Sequence, residues 1–144
     1  PFAVSHDTNV PVGFVVSNGK LDMGYCTDTG IASRLIGQRL AGCHGLVLEF
    51  NHDPTLLKNG PYPPPLKQPI SSSHGHLSNQ EAADLLGNLV HDRLQHVVLA
   101  HLSETNNLPE IAYATAVESV RDRLESRALT LSCQDFPTEL FELD

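Results

Sequence analysis

Three short apolar runs in this chain each end on a side chain able to bind a metal or move a proton, and that pattern restricts the fold more than any other. Phe2 to Ser5 leads into His6-Asp7, Leu21 to Cys26 into Thr27-Asp28-Thr29-Gly30, and Gln95 to Ala100 into His101-Leu102-Ser103. Apolar runs this short, bounded by turn residues, read as strands. Longer stretches with apolar residues at helical spacing lie between them, and the alternation predicts an α/β domain. In such sheets the strand ends are where binding groups converge on a rigid base. Imidazole and carboxylate are the usual ligands of zinc and similar divalent ions. Singly, a His or Asp at a strand end is just as well a cap or a solvated turn.

The remaining elements follow from local rules. Pro11 to Val16 reads as a strand, and Ser17-Asn18-Gly19-Lys20 as a tight antiparallel hairpin into Leu21 to Cys26. Ile31 to Leu40 reads as a helix whose apolar face is Ile31, Leu35 and Ile36. Cys43 to Phe50 is a strand, and Asp53 caps a short helix through Leu57 with Pro54 at its first position. Gly60 to Gly75, rich in Pro and Ser, is expected to be a long functional loop with neither strand nor helix. Ser78-Asn79-Gln80-Glu81 is a capping box, followed by Ala82, Leu85, Leu86 and Leu89 at helical spacing. Pro109 opens a helix to about Leu124, with Tyr113, Val117, Val120 and Leu124 on one face, and Ala128 to Ser132 is a last strand. Residues 1–134 read as one domain, and the acidic tail, 135–144, is expected to be mobile or to pair with something outside the chain.

Composition narrows the classes. The longest apolar runs, such as Gly45 to Leu48 and Val97 to Ala100, are far too short to cross a bilayer, and no signal-peptide pattern is present, so a cytoplasmic, membrane-free protein is expected. Cys26, Cys43 and Cys133 show no paired spacing and read as reduced core thiols. A formal net charge of −8 argues against a broad basic groove for nucleic acid. The opening at Pro1, with Met23 the only methionine, reads as a fragment or a processed chain.

Five ordered motifs carry a family resemblance over nearly the whole chain. They are Ser5-His6-Asp7 followed by Pro11-Val12-Gly13-Phe14; Thr27-Asp28-Thr29-Gly30; Leu48-Glu49-Phe50-Asn51-His52-Asp53; Gly75-His76-Leu77-Ser78-Asn79; and Ala100-His101-Leu102-Ser103 with Asn106-Asn107. Their order resembles that of metallo-beta-lactamase-fold hydrolases, in particular the YycJ/WalJ branch of bacterial phosphodiesterases and exonucleases. The resemblance implies the carboxyl-terminal half of an αββα sandwich, with a mixed, largely antiparallel sheet and helices on one face.

It also implies a metal site, with His6, Asp28 and His101 as ligands and Asp28 bridging two divalent ions, zinc or manganese. His76 matches a His-Ser-Thr loop that ribonuclease Z, a relative, uses near its metals, and this implies proton transfer together with the metal-bridging Asp28; packing against the helix cap is the alternative for His76. His52, Asp53 and Asp7 are expected to orient the ligands, with Asp53 equally a plain helix cap, and Ser78 and Asn79 to contact substrate. His44, His74, His91 and His96 match no pattern and are expected to face solvent. The family's His-x-His-x-Asp-His string is absent from these residues. Two ions would then have too few ligands, so these residues alone are expected to bind metal weakly and to be inactive. Nucleic acid or a small phosphodiester is the implied substrate, and a missing amino-terminal half or a second copy the implied partner. The alternative is a half-domain that binds a partner and does no chemistry.

Overall fold

The computed structural model describes residues 1–121, 123–125 and 128–144. Six strands, β1 (Phe2–Ala3), β2 (Val12–Ser17), β3 (Asp22–Cys26), β4 (Gly45–Glu49), β5 (His96–Ala100) and β6 (Leu129–Leu131), form one sheet in the order of the chain. Five helices join them: α1 (Arg34–Leu40), α2 (Pro54–Asn59), α3 (Pro64–Ile70), α4 (Asn79–Leu89) and α5 (Pro109–Val120). The α/β class is as expected, but the sheet is mostly parallel and not largely antiparallel. Only β1–β2 and β2–β3 are antiparallel, while β3, β4, β5 and β6 all run the same way. The cause is the connections. A tight turn reverses the chain, whereas a link containing a helix returns it to the starting end of the sheet. The Asn18 side chain makes the one tight turn, accepting from the Lys20 and Leu21 N–H groups at 2.9 Å each. From β3 onward every connection contains a helix.

Local capping sets where the helices start, as expected for α2 and α4 and three residues later than expected for α1. Ser33 accepts from Ile36 N–H, Asp53 from Thr55 and Leu56 N–H, and Ser78 and Glu81 form a reciprocal capping box. Three helical expectations fail. The chain from Gly60 to Gly75 is not free of helix, because Pro64 and Pro65 occupy the first turn of α3, whose N–H groups have no partner within a helix anyway. The Lys67 ammonium ties α3 to the end of α2, donating to the Lys58 and Gly60 carbonyls at 2.7 and 2.8 Å. On α1 the buried face is Ile36 and Leu40, while Ile31 and Leu35 stay exposed, because the helix begins only at Arg34. α5 ends at Val120, short of the expected Leu124; Asp122 lies outside the described residues.

The core lies between the sheet and one layer of helices. Leu46, Leu48, Phe50, Val97 and Leu99 meet Ile36, Leu40, Ala82, Leu86, Leu89, Ala112, Ala116 and Val120. The small Ala112 and Ala116, one turn apart on α5, let that helix lie close against α4. The opposite face of the sheet is barely covered at its β2 edge. There Phe14 pairs with Tyr25 and Val16 with Met23, and Phe14, Val16 and Tyr25 are 44%, 66% and 47% exposed.

The acidic tail does not stand away from the domain. Gln95 and Asp144 exchange two hydrogen bonds of 2.7 Å, and Phe141 stacks on His96 with ring centroids 3.9 Å apart. Nor do most of the unassigned histidines face solvent. His44 is buried and accepts from Asp22 N–H, His91 donates from Nε2 to the Cys43 carbonyl, and His96 is half-buried; only His74 is exposed. Cys26 and Cys43 are core thiols, with burial pushing the Cys26 pKa up to about 12, helped by the nearby charges of Glu49 and Asp28. Cys133 is exposed, against expectation. No described helix is long and apolar enough to cross a membrane.

Candidate metal centre

Parallel pairing of β3, β4 and β5 brings their carboxyl ends to one edge of the sheet, so the residues that follow them emerge side by side. Asp28 follows β3, Glu49 ends β4 in the middle, and His101 follows β5. His6 reaches this edge because its neighbours are tied to it. Ser5 accepts from Gly30 N–H at 2.8 Å, and Asp7 N–H donates to the His74 carbonyl at 3.0 Å. The second tie also brings in the loop before α4, which carries His76.

The three imidazoles are oriented by one device. His76 and His101 each hydrogen-bond through Nδ1 to Glu49 Oε1 at 2.7 Å, and His6 through Nδ1 to the Gly75 carbonyl at 3.0 Å. With an acceptor at Nδ1, a proton is held there, which leaves the Nε2 of His6 and of His101 free to offer a lone pair to an ion. For His6 and His101 that Nε2 lies 3.6 and 3.8 Å from Asp28 Oδ1. The rings are adjacent, with centroids 4.9 Å apart for His6 and His76 and 5.0 Å for His76 and His101. The backbone is bent to achieve this. Among the described non-glycine residues, Asp28 and His101 alone have positive φ, at 56° and 58°. Such conformations persist where surrounding structure enforces them, as at functional sites.

Glu49 does most of that enforcing, and the sequence motifs had not assigned it a role. Its carboxylate is fully buried and accepts from both imidazoles and from the Asp28, Thr29 and Leu77 N–H groups. Burial alone would raise its pKa, but the hydrogen bonds from His101 and His76 outweigh it and hold the carboxyl at about 2. In return the Glu49 hydrogen bond raises the His101 pKa against the effect of burial. The available signal was a carboxylate between Leu48 and Phe50, where no charge belongs without a partner.

Among the described residues, two sets of side chains have the spacing to hold a cation: His6, Asp28 and His76, and Glu49, His76 and His101. The second set overlaps the hydrogen bonds just described, since Glu49 is occupied by five donors. The chemistry of the donors therefore favours the Asp28 side, where the His6 and His101 Nε2 atoms face Oδ1 and the His76 ring is adjacent to both imidazoles. Imidazole nitrogens backed by a carboxylate or a carbonyl, around a half-exposed carboxylate, fit a divalent ion.

The other expected residues lie further in. Ser78 caps α4, and Asn79 is buried and exchanges hydrogen bonds with Asn107 at 2.8 and 2.9 Å. Asn107 also donates to the Phe50 and Asn51 carbonyls, and Asn51 donates to the His101 carbonyl at 2.9 Å. This amide network supports the left-handed turn of His101, a role no local pattern announces. His52 is buried, bridges to Ser78, and its Nδ1 has no partner among the described residues; burial lowers its pKa. Asp53 caps α2, and Asp7 is exposed beside His6.

No protein-family model matches the chain. An exodeoxyribonuclease YycJ of Bacillus anthracis is 34% identical over 122 residues, which are 85% of this chain and 46% of that protein. An exodeoxyribonuclease WalJ of Streptococcus pneumoniae is 34% identical over 119 residues, 83% of this chain and 44% of that protein. Among solved structures, the metallo-beta-lactamase fold protein YhfI of Bacillus subtilis matches with a TM-score of 0.64 at 14% identity, covering 91% of this chain and 44% of that one; this likeness speaks to fold alone. The chain spans less than half the length of the curated relatives it matches.

Proposed function

Since this chain is a metallo-beta-lactamase-fold protein related to the YycJ/WalJ exodeoxyribonucleases, we propose that it forms one half of a metal-dependent phosphodiesterase site acting on DNA. The observation that carries this is the grouping of His6, His76 and His101 around Asp28, with each Nδ1 tied to an acceptor. His6, Asp28 and His101 would hold divalent ions, zinc or manganese, with the Asp28 carboxylate able to serve two, and the remaining ligands would come from a segment outside these residues. When bound, the ions supply Lewis acidity that neutralises phosphate charge and makes water nucleophilic. His76 holds a proton at Nε2 and passes it to the leaving oxygen, while Glu49 at its other nitrogen stabilises the imidazolium before transfer. Ser78 and Asn79 serve the substrate indirectly, by holding the start of α4 and, through Asn107 and Asn51, the turn at His101.

Expressed together with the residues encoded upstream, the protein should hydrolyse a generic phosphodiester in the presence of manganese or zinc. Asp28→Ala should abolish that activity. Near-normal turnover by the variant would remove Asp28 from the mechanism.

A second function, pairing without chemistry, is favoured by one observation, the exposed apolar strip of Phe14, Val16 and Tyr25. Stable self-association of the 144-residue chain, with no metal uptake in the presence of its upstream segment, would support it over hydrolysis.

A further inference from the structure

Beside His76 and His101 the surface opens into a cavity of about 290 Å³ whose walls include Asn51, Tyr62, Ile70, Ser103, Thr105 and Gln134. Among the described residues no lysine or arginine lines it, and Glu104 does, so a phosphate is not its natural occupant. The volume is at the lower end of the roughly 300–1,000 Å³ usual for small-molecule sites, which suits one compact group and not a run of strand. Tyr62 supplies the aromatic surface. It stands between Pro61 and Pro63, whose rings restrict the backbone, and its hydroxyl donates to Thr105 Oγ1 at 3.5 Å. A half-buried ring with a restricted backbone is a stacking platform that loses little freedom when a base covers it. A second cavity, of about 380 Å³, lies on the other side of the His101–Glu104 segment, and Gln134 lines both.

We infer that the Tyr62 cavity receives the terminal nucleoside of a DNA strand, its base against the Tyr62 ring and its polar edge among the Asn51, Ser103 and Gln134 side chains. Resting on the phosphodiesterase proposal, this would put the adjoining phosphate at the edge where His6, Asp28 and His101 meet. The cavity has room for one nucleoside, and its described walls carry no lysine or arginine to receive a further phosphate, so a strand would enter by its end.

The test is a titration of the isotopically labelled chain with thymidine, using 2-deoxyribose as the base-free control and amide resonances as the readout. Thymidine should shift the resonances of Tyr62, Thr105 and Gln134, and deoxyribose should not. Tyr62→Ala should weaken binding about tenfold or more, whereas Tyr62→Phe, which keeps the ring, should bind nearly as wild type. Equal shifts from deoxyribose, an unaffected Tyr62→Ala variant, or no shifts at these residues would overturn the assignment. Asp28→Ala separates the two proposals, because it should keep thymidine binding while losing hydrolysis. Hydrolysis that needs Asp28 without thymidine shifts would sink the nucleoside site and leave the phosphodiesterase standing. Thymidine binding without any metal-dependent hydrolysis would do the reverse.

Discussion

Glu49 accepts five hydrogen bonds in a fully buried position, so replacing it strands five donors at once. Glu49→Gln keeps the shape but removes the charge and puts an amide donor among donors. A loss of about 3–5 kcal/mol in denaturant unfolding is expected, as for breaking other buried charged pairs. The loss should depend on pH. Glu49 has its pKa lowered from 4.5 to about 2, so its contribution is full above pH 4.5 and disappears as pH falls towards 2. His101 has its pKa raised from 6.5, so its contribution is full below pH 6.5 and disappears as pH rises through the raised value. The difference between wild type and Glu49→Gln, measured on metal-free protein, should therefore peak between pH 4.5 and 6.5. Taking the difference cancels the opposite trend of half-buried His96. A divalent ion competes with the proton on His101, so its addition should move the stability maximum to higher pH. His76→Ala asks a different question of the upstream-extended enzyme. A fall of about 10²–10⁴ in rate with metal content unchanged, read by elemental analysis beside turnover, is the expected result for proton transfer. Loss of metal would make His76 a ligand. His6, Asp28 and His101 stand out in the sequence because chemistry-bearing types follow apolar runs, and His76 through the family resemblance alone. Glu49 and Asn107 do not, because their importance lies in bonds to residues 20 to 57 positions away.

Capping chemistry was the part of the elements most legible in the sequence, since a cap and its helix are local. Asp53 and the Ser78–Glu81 box start α2 and α4 as expected. Ser78→Ala removes an acceptor for Glu81 N–H and a donor to the Glu81 carboxylate, and should lower stability by about 1–2 kcal/mol in urea denaturation. Because α4 begins three residues after His76, the same variant should also loosen the His76 loop, visible as faster amide exchange at Leu77. Helix α3 escaped notice because proline counts against helix everywhere except in the first turn, and two of the three prolines of α3 are there. The start of α1 was misplaced for a related reason. Ile31 looks like part of a helical stripe, but Ser33 accepts from Ile36 N–H and sets the first turn after it.

The sheet's direction was the largest feature of the whole molecule not legible beforehand, although the connecting helices were themselves recognisable. The fold leaves one face of the β2 edge open, with Phe14, Val16 and Tyr25 exposed side by side. Without a complementary half, this face should drive self-association, and sedimentation velocity should show a dimer. Val16→Lys should return the chain to a monomer while leaving thermal unfolding nearly unchanged, because Val16 is already 66% exposed. Strand order has a further consequence, one of timing. Neighbours in this sheet are also neighbours in the chain, from β1 to β6, so no strand must wait for a partner synthesised much later. Each strand therefore meets an edge already synthesised, which suits growth during translation, while the helix-containing connections between β3, β4, β5 and β6 make those parallel pairings non-local and slower to close than the β2–β3 hairpin.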